Sequence, residues 1–299
     1  MASAHAATIA PGRPRELQDP LNHHVYHPLA ALLARALLPT GISANAVSVG
    51  SAVALIAAAW AYTQMNWPQG LLLGFGLMLL WHVIDGADGD LARMKGTASP
   101  TGELVDGVCD YLGNVVMYFA FAFLLDDTIG AWAWILAVAA GASHILQTNH
   151  AETQRRLYMW RAYGVPWLRN ARASDDAVFR SESWFPRYFG FWAVGYVWLS
   201  NRMTPGANPI DAALARAAGD PRETRRIRRL VRRVFAPSHG LAMALGANPK
   251  TFLIAASMAM GSPLYYFLAM IFGVNAILLV SVLVHRTLTD RVAAALSRR

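Results

Sequence analysis

Along this chain, apolar residues come in long unbroken runs rather than in the one-sided stripes of a soluble helix. Residues 44–65, 69–94, 102–125 and 129–149 each give such a run. Each is long enough to cross the roughly 30 Å hydrocarbon layer, which takes about 20 residues. A further apolar stretch, 251–285, exceeds one span and is broken at Gly261-Ser262-Pro263. That break predicts a tight hairpin of two short helices. Ahead of the first run, 27–38 has helical periodicity but is too short to span, and Arg35 sits toward its end. It reads as an amphipathic helix lying in the interface. Pro39 to Ser43 interrupts the pattern, and Ser43 is placed to cap the next helix. The pattern predicts an all-α polytopic membrane protein with six transmembrane helices and an N-terminal interfacial helix.

Four regions follow from the same reading. Residues 1–26 are expected as a disordered cytoplasmic tail. Residues 27–150 hold the interfacial helix and the first four spans. Residues 151–248 form a basic cytoplasmic or interfacial insertion, and 249–299 the last two spans with a basic tail from Arg286. Within the insertion, 224–235 reads Thr-Arg-Arg-Ile-Arg-Arg-Leu-Val-Arg-Arg-Val-Phe. Ile227, Leu230, Val231, Val234 and Phe235 fall on one face and arginines on the other, as in a helix lying on an anionic leaflet. The aromatic stretch 184–199 could pass for another span, but crossing there would put those arginines outside, against the positive-inside bias. It is therefore placed at the interface. His23, His24 and His27 have no carboxylate or cysteine beside them and read as interfacial polar residues.

Composition agrees with a membrane location. Of 299 residues, 55% are hydrophobic and 15% charged, where a soluble globule carries nearer a quarter charged. The net charge of +8 points to cytoplasmic loops facing anionic membrane lipids rather than to nucleic acid. The single cysteine, Cys109, excludes an internal disulfide and is expected to pack.

Against this apolar background, the stretch 85–110 is dense in carboxylates. A charge in a spanning segment costs several kcal/mol, so it marks function by default. Asp85, Asp88 and Ala92 are three, four and seven apart, on one helix face; Asp106 and Asp110 are four apart on another. The turn from Gly96 to Gly102 lets the two helices bring all four aspartates together. Four carboxylates cannot sit close and ionised without cations between them. Hard divalent ions, Mg2+ or Mn2+, take oxygen ligands and suit the site. Farther on, His144, Gln147, Asn149 and His150, then Glu152, Arg155 and Arg156, emerge on the same side. They either line an acceptor pocket or mark a helix end becoming solvated.

The spacing Asp85-x-x-Asp88-Gly89-x-x-Ala92-Arg93, eight residues, Gly102-x-x-x-Asp106-x-x-x-Asp110 resembles the complete signature of the CDP-alcohol phosphotransferases. The resemblance implies an integral membrane enzyme with six spans and both termini cytoplasmic, placed in the inner (plasma) membrane. It would cleave the diphosphate of a CDP-linked donor, transfer the phosphoalcohol to a hydroxyl acceptor and release CMP. Asp85, Asp88, Asp106 and Asp110 would hold two Mg2+ or Mn2+ ions, with Asp110 also the catalytic general base. Gly89, Ala92, Arg93 and Gly102 would face the CDP moiety, and Arg93 either contacts phosphate or pairs with an aspartate. Asn45, in Asn45-x-x-Ser48, partly matches a nucleotide-side segment of the family; a second capping role is the other reading. Glu103 is expected to cap the third span, and Asp90 to face solvent or the loop. Arg155, Arg156 and Arg161 are candidate acceptor contacts. The resemblance also implies pairing as a homodimer, as members of the family often do.

Within the family, Ser99-Pro100-x-Gly102-Glu103-Leu104-x-Asp106-x-x-Cys109-Asp110 is similar to the choline/ethanolamine branch, which delivers a phospho-headgroup to diacylglycerol. Other branches move phosphatidyl from CDP-diacylglycerol. The basic residues favour the second chemistry, with headgroup transfer as the alternative. A divalent-cation transporter is the reading from a different class, although it would not need the glycine and Ala92-Arg93 pattern.

Overall fold

The structure, a computed structural model, describes residues 14–165 and 209–297, with Phe191, Val194, Gly195, Trp198, Leu199, Arg202 and Met203 between them. The first half of the expected tail and most of the 184–199 stretch lie outside the described residues. No strand occurs among the described residues. The chain is an all-α polytopic membrane protein. We number its helices α1 His27–Leu37, α2 Ala44–Gln64, α3 Gln69–Lys95, α4 Pro100–Ile129, α5 Trp132–Tyr158, α6 Pro209–Arg216, α7 Pro221–Phe235, α8 His239–Ala244, α9 Ala247–Ala259, α10 Leu264–Leu268 and α11 Asn275–Ser297. A π-helical turn, Met159–Tyr163, prolongs α5, and another, Ala269–Val274, joins α10 to α11.

Four helices are long and apolar enough to cross a membrane: α2, α3, α4 and the continuous Leu264–Ser297. Outward faces of α2 (Val49, Val53, Ile56, Trp60) and α4 (Leu112, Val115, Phe119, Phe123) stay exposed, as lipid-facing positions must. α5 has the length but turns polar in its second half, and α9 has 13 residues, about 20 Å. Both nevertheless share one apolar core with α2, α3, α4 and α10–α11, including Leu55, Trp81, Phe121, Ala137, Ile254 and Phe267.

Local sequence explains the helix ends that matter for the site. Ser43 Oγ accepts the Ala46 amide and starts α2. α3 stops at Gly96, whose φ of 67° is the left-handed value glycine adopts freely. Its amide reaches the Arg93 carbonyl and that of Thr97 the Ala92 carbonyl, which closes the helix end. Ser99 Oγ then accepts the Gly102 amide at 3.1 Å and starts α4. Ser99, not Glu103, is the cap. The interfacial helix packs on the bundle: Ala30 and Ala34 are fully buried, and a Cβ on Gly86 of α3 would lie 3.1 Å from Ala30.

Several expectations are corrected. Residues 14–26 are held against the bundle. Tyr158 and Tyr163 donate hydroxyls to Glu16, and Asn248 Nδ2 donates to Asp19 at 2.9 Å. The third span does not stop at 125 but continues through Asp126 and Asp127 to Ile129. The hairpin breaks where expected, but its second limb is not short: Leu264–Ser297 has 34 residues, about 51 Å, and absorbs most of the expected tail. The basic helix α7 does not rest its apolar face on lipid. Ile227, Val231 and Phe235 are buried in a second cluster with Tyr158, Ala162, Ile210, Leu214 and Val292. The helix is amphipathic because it packs on protein.

Candidate active site

The α3–α4 hairpin carries the aspartates on facing helices. One carboxylate oxygen each from Asp85, Asp106 and Asp110 lies within 4.8 Å of the others. Asp88 stands beside them, buried, and accepts from Ser48 Oγ of α2 at 2.5 Å. Its carboxyl group touches that of Asp106, and that of Asp85 touches Asp110. Trp81, one turn before Asp85, donates its indole N–H to Asp110 Oδ1 at 3.3 Å. Asn114, one turn after Asp110, donates to the Asp110 carbonyl at 2.9 Å.

These residues fit a divalent cation. The donors are all carboxylate oxygens, the set that hard ions take. Carboxyl groups in contact cannot both ionise unless positive charge intervenes. Among the described residues, no lysine or arginine forms an ion pair with Asp88, Asp106 or Asp110. Asp106 Oδ1 is buried and has no hydrogen-bond partner among them. A buried acceptor left so costs about 1–3 kcal/mol, more if charged, unless a ligand supplies the missing contact.

The neighbouring positions divide. Asn45 is brought to the motif: a Cβ on Gly102 would lie 3.8 Å from its Oδ1. Ser43 Oγ accepts the Ala46 amide and so caps this helix start. Gly89 lies under Arg93, whose Nη1 would be 3.3 Å from an added Cβ. Ala92 is half-buried on the same turn. Arg93, 54% exposed, pairs with Asp90, the aspartate alternative of the two expected. Lys95 donates to the Ile42 carbonyl at 2.6 Å and fixes the end of α3 beside the start of α2.

The candidate acceptor contacts are engaged elsewhere. Arg155 forks onto Glu152 at 2.7 and 2.6 Å, and Arg156 bridges Glu152 to Glu103 of α4 at 3.0 Å. Arg161 is 2% exposed and pairs with Asp211 of α6 through bonds of 2.9 and 2.8 Å. Gln147 donates to the Met270 carbonyl and to Asn275, and His150 bonds Ser281, so this face of α5 meets Leu264–Ser297 rather than solvent. His144 shares its Nδ1 with the Tyr118 hydroxyl. His23 and His27 both bond Gln18.

Sequence reasoning missed the parts played by Ser48, Trp81 and Asn114. Trp81 and Asn114 carried a usable signal, each being one helical turn from a motif aspartate. Ser48 carried little, because its partner is 40 residues away.

No curated protein matches the chain. Residues 41–167 match the family model described as CDP-alcohol phosphatidyltransferase. The match opens at the turn before α2 and closes just beyond the extension of α5. It therefore contains all four aspartates, the hairpin that gathers them, and the Asn45 and Ser48 side of α2. Over that segment, 127 of the 299 residues, the chain is similar to the CDP-alcohol phosphatidyltransferase family.

Proposed function

We propose that the protein transfers phosphatidyl from CDP-diacylglycerol to a hydroxyl acceptor, with Mg2+ or Mn2+ and release of CMP. The observation that carries this reading is the carboxylate cluster, three ligand oxygens within 4.8 Å, at the joint of two apolar helices. Asp85, Asp88, Asp106 and Asp110 would hold the ions. When bound there, the ions neutralise the donor diphosphate and the departing CMP. Asp110 accepts the hydroxyl proton of the acceptor on the carboxylate oxygen that Trp81 leaves free. The acceptor oxygen forms its bond to the phosphatidyl phosphorus as the bond to the CMP oxygen breaks. Gly89, Ala92, Gly102 and Asn45 line the cytidine side, where a larger side chain would intrude. The exposed apolar faces of α2 and α4 beside the hairpin give the acyl chains a wall to lie against.

The site opens to the cytoplasm. Arg156 links the end of α5 to the start of α4, so the arginine-rich α7, packed on Tyr158 and Ala162, lies on the motif side of the bundle. The positive-inside bias places that side in the cytoplasm. In this reading α5 and α9 complete six crossings.

The test is CMP release by purified protein in lipid-containing micelles with Mg2+ or Mn2+. CDP-diacylglycerol is offered with a panel of polar alcohols, and CDP-choline and CDP-ethanolamine with diacylglycerol. Acceptor-dependent release from CDP-diacylglycerol, abolished by Asp110→Asn and by chelator, is expected. Release only from the CDP-alcohols would replace the reading with headgroup transfer. Metal uptake into proteoliposomes with no release from any pair would make the protein a cation transporter.

A further inference from the structure

Of the seven arginines of α7, only Arg226 forms an ion pair among the described residues, and four of the rest share one face. Arg225, Arg228, Arg229 and Arg232 recur at i, i+3, i+4 and i+7, on one face. Like charges so spaced destabilise a helix. Arg226, by contrast, pairs with Glu223 at 2.6 Å and the buried Arg161 with Asp211. None of the four on the stripe forms an ion pair with a carboxylate among the described residues. With Ala162 and Tyr163, they line a cavity of about 500 Å³, within the range of small-molecule sites.

The cavity wall is fixed rather than a loose fringe of side chains. Burial of Ile227, Val231 and Phe235 sets the rotation of α7 and so the direction of the stripe. Arg232 lies over the Tyr163 ring, 5.6 Å from its centroid, and Tyr163 in turn donates its hydroxyl to Glu16. The Arg228 guanidinium rests on the backbone at Gly164: a Cβ there would lie 2.2 Å from its Nη1. Gly164 also has φ of 77°, a backbone conformation that favours glycine. Arg228 Nε is buried and has no hydrogen-bond partner among the described residues. A buried guanidinium N–H without an acceptor calls for a ligand that supplies one.

We propose that this cavity binds a phosphate-bearing polyanion, free or as a lipid headgroup. Guanidinium groups stay charged at every working pH and present paired N–H donors that match phosphate oxygens. The site lies beyond the carboxylate hairpin and does not depend on the transfer reaction.

Inorganic pyrophosphate is titrated by calorimetry into the full-length protein in neutral detergent with chelator present, so that no ion can bring it to the carboxylates. In a parallel arm, thermal stability is measured in phosphatidylcholine nanodiscs with and without phosphatidic acid. Saturable binding is expected, weakened at least about tenfold by Arg228→Gln and less than about twofold by Arg233→Gln, an equal charge change outside the cavity lining. Arg232→Gln serves as the second variant if Arg228→Gln does not fold. Binding of pyrophosphate assigns free phosphate compounds. Stabilisation by phosphatidic acid alone, lost in Arg228→Gln, assigns lipid headgroups. No saturable effect in either arm, or equal loss in Arg233→Gln, overturns the proposal.

Discussion

The carboxylate hairpin and the arginine-lined cluster both lean on α5, and they concentrate charge of opposite sign. In the hairpin, acidic groups are pressed together inside apolar helices, and Asp106 keeps a buried oxygen with no partner among the described residues. In the second cluster, an arginine stripe stands over a cavity on a helix whose apolar face is already committed to protein. Between them, Arg155 and Arg156 are balanced by Glu152 and Glu103. Charge that is matched holds the helices in place, and charge that is left unmatched marks where a ligand of opposite sign is accommodated. The acidic region accordingly suits metal, and the basic region suits phosphate.

The sharpest way to break this comparison is Asp106→Asn. The amide keeps the shape and removes one of the clustered negative charges. CMP release should fall more than about a hundredfold, beyond the 10–100-fold that follows loss of a residue merely supporting a metal ligand. Stability in chelator should hold or rise, because repulsion among the carboxyl groups is relieved. Wild-type protein should gain Tm on adding Mn2+, as ligand binding to the folded state requires, and the variant should gain much less. A variant that loses Tm in chelator yet responds normally to Mn2+ would mean that Asp106 holds the helices together and does not bind the ion.

Ile227→Asp tests the other region, with a smaller effect on chemistry. Ile227 is 2% exposed within the second cluster. Placing a carboxylate there should cost about 3–5 kcal/mol, from lost burial and an unpaired buried charge. Limited proteolysis should then cut within 209–235, while the Mn2+-induced gain in Tm at the hairpin persists. If α7 instead lay on the leaflet by its apolar face, the same substitution would release it from lipid and leave the protease pattern of detergent-solubilised protein unchanged.

These two regions were also unequally legible in the sequence. The hairpin was readable because its logic is local. Helical spacing puts Asp85 near Asp88 and Asp106 near Asp110, and Gly96 and Ser99 mark the stop and the start between them. The basic helix was readable as amphipathic, but not for what covers it. An apolar stripe has the same periodicity against lipid as against Tyr158, Ala162 and Val292, and those residues lie far away in sequence. The same distance hid Ser48 from Asp88 and Glu16 from Tyr163. It also hid the continuation of the last helix, whose polar end persists because Leu288, Val292 and Leu296 pack on the second cluster. The pairing of Arg155 and Arg156 was different: Glu152 stands three and four residues before them, a local signal that their reading as acceptor contacts passed over.

The finest test concerns Trp81, where the two kinds of legibility meet. Its ring is part of the apolar core, and its N–H reaches Asp110 Oδ1 at 3.3 Å. Trp81→Phe keeps most of the ring volume and deletes the donor. A neutral hydrogen bond contributes about 0.5–1.5 kcal/mol and one to a charged group somewhat more, so kcat should fall about three- to tenfold. KM for the donor should not change, because the bond orients the base and does not touch the nucleotide. A fall in Tm with unchanged kcat would assign Trp81 to packing alone and leave the contact with Asp85 as what orients Asp110. A fall in kcat at constant Tm would show that the core side of the hairpin sets the direction of the base, so that the apolar bundle and the carboxylates form one catalytic unit.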